Sequence, residues 1–225
     1  MLRYPPSRRL VIILGSLLAV AVALSGWGAH YPRDWILENA LVAVFVTFLA
    51  LSWKRLPLSA GSYVLLFLFL CLHEIGAHWT YAEVPYNAWS ENWFGRSLNA
   101  AVGFERNHFD RLIHLLYGIV FVFPMRELYF HAGGRTGTWS YLLPVDFVAS
   151  TSLVYELIEW AAAVMFGGEL GIAYLGTQGD VWDAHKDIAF AILGAVGAMG
   201  WLAARNARRG EDPGVALLKS LSRQP

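Results

Sequence analysis

The stretch LVIILGSLLAVAVALSGWGA, residues 10–29, is the first of six segments long and apolar enough to cross a bilayer. A helix needs roughly 20 such residues to span the hydrocarbon core. The other five fall near 35–53, 59–80, 108–126, 141–164 and 183–204. Together they predict an all-α polytopic membrane protein, a single transmembrane domain over residues 1–204 built as a bundle of about six helices. Composition agrees, since 56% of the 225 residues are hydrophobic and only 15% charged, against about 25% charged in a soluble domain. The formal net charge is zero, so no basic face points to a nucleic-acid partner. The single cysteine, Cys71, excludes an intramolecular disulfide and a thiolate-rich metal site. Arg8 and Arg9 before an apolar run, with small residues at Ala21–Ser25, resemble a signal peptide. A continuous run of about 18 apolar residues fits a retained span better.

Basic residues set the expected orientation. With the N-terminus inside, twelve Lys and Arg residues fall on the inner side and only Arg33, Arg96 and Arg106 on the outer. Both termini are therefore expected in the cytoplasm, with 205–225 as a cytoplasmic tail. The outer side receives a short turn at 30–34, a long loop at 81–107 and a Gly-rich loop at 165–182. The long loop carries YNAWSENWFGRSLNAAVGF, and its aromatic residues favour the headgroup layer. It reads as an interfacial segment, either a lid over the bundle or an aromatic-belt anchor.

Ionisable residues are costly inside a membrane, so their placement is informative. The first two spans read as lipid-facing scaffold, with Glu38 near an end as the exception. The third span ends with His73, Glu74 and His78, and the fourth opens with His108, Asp110, Arg111 and His114. The fifth contains Glu156 and Glu159; the sixth opens with Asp180, Asp183, His185, Lys186 and Asp187. In the expected topology all four sets lie within roughly 15 Å of the outer boundary. Residues three or four apart on a helix share a face. That pairs Asp110 with His114, Glu156 with Glu159, Asp183 with Asp187, and Glu74 with His78. His73 and His78 diverge by about 140°, which favours His78 as the inward-facing histidine. The Gly194–Gly197–Gly200 series reads as a close-packing seam.

So many carboxylates and imidazoles in a low-dielectric site call for a cation. His with Asp and Glu from facing helices suits a divalent metal, zinc first, with iron or manganese as alternatives. The expected ligands are His78, His114, Glu156, Asp183 and Asp187, with Asp110 or Glu159 as base or as an orienting partner. His73, Glu74, His108, Asp180 and His185 stay open as further members. A metal with an open position would activate water or polarise a carbonyl or phosphoryl oxygen. Set in the outer leaflet, it would face membrane lipids or an envelope intermediate as substrate.

The motifs HWTYAEVP (78–85), RNHFDRLIH (106–114), SLVYELIEW (152–160) and LGTQGDVWDAHKD (175–187) resemble the YjdF-like bacterial inner-membrane proteins. The resemblance covers roughly residues 60–200, with four long motifs in order. It implies a multi-pass protein of the bacterial inner membrane and brings no activity with it; with the expected topology, the site would face the periplasm. A weaker similarity links Asp110 to His114, Glu156 with Glu159, and Asp183 with Asp187 to motifs of the VanZ-like membrane proteins. Here Arg111 stands where those proteins have Lys, and Glu159 where they have Gln.

Three functional readings follow. The first is a metal-dependent membrane hydrolase or transferase. The second is a non-catalytic structural or headgroup-binding protein, in which Arg111 and Lys186 pair with Asp110, Asp183 or Glu159. The third is an ion or proton pathway, for which the polar track toward the cytoplasm offers only Asp146 and a few serines.

Overall fold

The computed structural model of the chain describes residues 6–55, 58–133, 137–168, 171 and 175–210. These residues form helices and no strand. Six long helices are each able to cross a membrane: α1 (Arg8–Gly26), α2 (Pro32–Ser52), α3 (Ala60–Trp79), α6 (Phe109–Gly133), α7 (Trp139–Phe166) and α8 (Asp183–Arg208). Two short helices, α4 (Tyr86–Phe94) and α5 (Leu98–Val102), lie between α3 and α6 in the aromatic loop. Many large apolar side chains point outward, among them Leu24, Val44, Val164 and Leu193. In water such a surface would aggregate; in hydrocarbon it is solvated.

Each helix begins and ends for local reasons. The Ser7 hydroxyl caps α1 by accepting from the Leu10 N–H at 3.1 Å, and Pro32 opens α2, where its missing N–H is no loss. α6 runs to Gly133, past the boundary expected near 126, because Pro124 does not stop it. Neighbouring helices re-satisfy the freed backbone in a membrane bundle. The added turn carries Glu127, a buried carboxylate that accepts both the Ser59 N–H and the Ser59 hydroxyl at 2.7 Å. That ties α6 to the start of α3, where the positive end of the helix dipole favours an anion.

α6 is the hub. It packs on α3, α7 and α8, with its most extensive contact to α8, while α1 and α2 rest on α3 at the periphery. Glycine makes the α6–α8 contact possible. A Cβ on Gly118 would sit 2.0 Å from the Ala191 carbonyl oxygen, and one on Gly194 would sit 2.2 Å from that of Leu115. The seam expected along Gly194, Gly197 and Gly200 is therefore a two-helix contact between Gly118 and Gly194. Gly197 and Gly200 meet nothing within 4 Å, because they turn away from α6. The core proper, around Leu66, Phe121, Val122, Val148, Ala191 and Ala195, lies on these shared faces.

Candidate metal centre

The glycine contact brings the opening turns of α6 and α8 side by side. Asp110 and His114, four residues apart on α6, face Asp187 on α8. One ligand atom from each of the three lies within 4.8 Å of the others. Around an ion bound at about 2.0–2.2 Å, ligand atoms stand roughly 3–4 Å apart, so metal binding would tighten this group. From α7, Glu156 Oε1 comes within 3.5 Å of His114 Nε2, and Asp110 Oδ1 lies 3.6 Å from the same nitrogen. Glu159, one turn further, hydrogen bonds with Glu156. Asp187 is 2% exposed, and its Oδ1 has no hydrogen-bond partner. A buried carboxylate oxygen without a partner carries the full cost of lost hydration.

The cations go elsewhere. Arg106 from the loop lies 2.9 Å from Asp183 and 3.4 Å from Asp180, and Arg111 lies 2.5 Å from Asp180 and 3.4 Å from Asp183. Lys186 reaches Asp180 at 2.5 Å. Asp183 is thus part of an arginine clamp one turn before Asp187, and it stands outside the three-residue group. Lys186, with the Trp182 N–H and Arg111, holds the Asp180 carboxyl well below the usual carboxylate range. Burial, reinforced by Arg111 and Arg106, pushes the His108 imidazole down, which leaves its Nδ1 able to accept from Arg111 at 3.4 Å. His185 stays at the surface, its ring 5.3 Å from Trp182.

On α3 the two histidines part. His78 Nδ1 lies 2.6 Å from the Ser25 carbonyl oxygen, beside the rings of His30 and Trp79. Glu74, on the same face, accepts from the Ser25 hydroxyl, which itself takes the Trp35 indole N–H at 3.0 Å. This face looks at α1 and α2. His73 looks the other way, and its Nδ1 meets the Tyr81 hydroxyl. Thr80 and Tyr81 both adopt the left-handed backbone conformation, φ 52° and 45°. That conformation is uncommon for such side chains, and it folds the Tyr81 ring back onto α3. Gly76 leaves room for it, since a Cβ there would lie 2.6 Å from the ring. Burial, with nearby carboxylates, pushes the Tyr81 phenol well above its ordinary value. Glu83 sits on the rim with Tyr31 and His30.

α2 contributes more than scaffold. Asp34 and Glu38 are buried, 1% and 2% exposed, and Glu38 accepts from the Tyr155 hydroxyl at 3.1 Å. The Tyr155 ring is 6.0 Å from that of His114, so Glu38 joins the polar cluster through α7. The signal was present in the sequence, because Asp34 and Glu38 show the same four-residue spacing that marks α6 and α8.

A cavity of about 290 Å³ opens below the cluster, between α2, α3, α6 and α7. Its upper wall includes His73, Tyr81, Asp110, His114 and Tyr155; the rest is apolar apart from Tyr117, Thr151 and Ser152. A larger cleft of about 520 Å³ among α1, α2 and α3 is lined by no carboxylate or histidine.

Three comparisons bear on this arrangement. The family described as Predicted membrane protein (DUF2238) matches residues 10–208. Inner membrane protein YjdF of Escherichia coli (strain K12) is 33% identical over 193 residues, which cover 85% of this chain and 88% of that protein. No solved structure matches the chain.

Proposed function

The chain belongs to the DUF2238 family of predicted membrane proteins, and from that premise we propose that it is a metal-dependent enzyme of the bacterial inner membrane. Asp110, His114 and Asp187 would hold a divalent ion, zinc first, with Glu156 as a fourth ligand. Glu159 stands next to Glu156 as base or orienting partner. The single observation that carries this reading is the Asp110–His114–Asp187 group with its buried, unpartnered Asp187 oxygen. A divalent ion there would supply Lewis acidity. The protein's own groups would position the substrate and move protons. Hydrolysis or group transfer on lipid or envelope material is the chemistry proposed, on the periplasmic side that the basic-residue bias favours.

The arginine clamp favours a second reading, a structural or headgroup-binding core. Ion-pair networks of this kind also occur as purely structural features. Metal content separates the two. Protein purified in detergent without chelator should carry near-stoichiometric metal by mass spectrometry. Asp110→Asn with Asp187→Asn should remove it, and Asp183→Asn should not. A folded, metal-free wild type would overturn the metalloenzyme and leave the structural reading.

A further inference from the structure

We infer that the cavity between α2, α3, α6 and α7 receives one acyl chain of a membrane lipid, entering sideways from the bilayer, with the lipid's acyl carbonyl held at His73. The inference takes its chemistry from the metal reading above, but the binding it describes does not require the metal.

Position is the first support. The cavity follows α6 from Asp110 and His114 down to Tyr117 and Phe121. At 1.5 Å per residue that stretch rises about 16 Å, close to half of the roughly 30 Å hydrocarbon core. It therefore has the depth of one leaflet, which is the length an acyl chain occupies there.

The second support is the opening. α2 packs on α3, and α7 packs on α6 and α8, so the wall between α2 and α7 is thin. Val154 and Ile158 line the cavity and are also 53% and 39% exposed. In a membrane, what lies outside that wall is lipid.

The third support is polarity. The deep part offers Val42, Phe45, Phe69 and Phe121, suited to methylenes. At the polar end, His73 is 9% exposed and its Nε2 is buried without a hydrogen-bond partner. The Tyr81 hydroxyl is hydrogen-bonded to Nδ1. In the tautomer in which Nδ1 accepts from Tyr81, the ring proton sits on Nε2, a donor without a partner at the end of an apolar tunnel and beside the Asp110–His114 pair. A carbonyl oxygen at the head of an acyl chain fits that donor. A fully apolar guest would leave it unsatisfied, and a free anion would not fill the apolar length.

The test uses a phosphatidylethanolamine with a diazirine midway along one acyl chain, doped into vesicles of phosphatidylethanolamine and phosphatidylglycerol holding the full-length protein. After irradiation, labelled residues are mapped by mass spectrometry. Label is expected on Phe121 and Tyr117 inside the cavity, in addition to outward residues such as Val44. Ser152→Phe, which fills the cavity, should reduce the inner label at least tenfold. So should Val154→Trp at the mouth, a lipid-exposed position that tolerates a large side chain. Label confined to outward residues in the wild type overturns the proposal, as does inner label unchanged in both folded variants. The same preparation is assayed for metal. Inner label without metal would sink the enzyme reading and leave the lipid site standing, whereas metal without inner label would do the reverse.

Discussion

At the residue scale, the polar end of this bundle divides into two groups with different electrostatics. Asp180 and Asp183 are neutralised by Arg106, Arg111 and Lys186, whereas Asp110 and Glu156 approach the imidazole of His114. Asp180 lies outside the spans, and its depressed pKa has a definite consequence. A carboxyl that titrates lower when folded than unfolded stabilises the fold above its unfolded pKa, about 3.9. It loses that contribution as pH falls through the lower folded value. The wild type should therefore exceed Asp180→Asn in detergent thermal stability by a constant margin from pH 7 to about 4. The margin should shrink at lower pH. A margin that grows on acidification would contradict the clamp.

The helices explain why these residues meet. Gly118 and Gly194 let α6 and α8 approach until backbone atoms touch, and the site lies one to two turns away along the same faces. Gly118→Ala and Gly194→Ala each force a Cβ into a carbonyl oxygen. Each should destabilise at or above the upper end of the ~1–3 kcal/mol typical of overpacking, read as lower thermal stability, and should weaken metal retention. Gly197→Ala meets open space and should be neutral or stabilise by about 0.5–1 kcal/mol, since glycine is a poor helix former. Equal losses at all three positions would show that the contact is not where the geometry puts it. The helical spacing that pairs residues was readable in advance on α6, where Asp110 and His114 do share a face. On α3 the 140° divergence of His73 and His78 also holds. Spacing does not say which face looks inward, and Glu74 and His78 turn out to face α1.

For the whole molecule, the expected orientation places the polar cluster, α4 and α5 outside and both termini in the cytoplasm. In a Cys71→Ser background, a membrane-impermeant maleimide on intact cells should label Trp93→Cys on α4. It should label Arg209→Cys only after the cells are opened. The reverse pattern would invert the bundle and put the site at the cytoplasmic face.

The sequence by itself determined the six spans, the all-helical class and the level at which the charges gather. Hydrocarbon demands about 20 apolar residues and a backbone that bonds to itself, and both requirements are local. Tertiary structure alone decided how the charged residues were divided. Asp183 turns to two arginines, one of them delivered by a loop, while Asp187 four residues on makes no ion pair with Lys or Arg among the described residues. His73 lines the cavity and meets Tyr81, which a left-handed turn lays on Gly76. Asp34 and Glu38, on a helix that reads as scaffold, are buried, and Glu38 meets Tyr155 from α7. Each outcome depends on which helix face meets which neighbour, and that is set by packing between segments far apart in the chain.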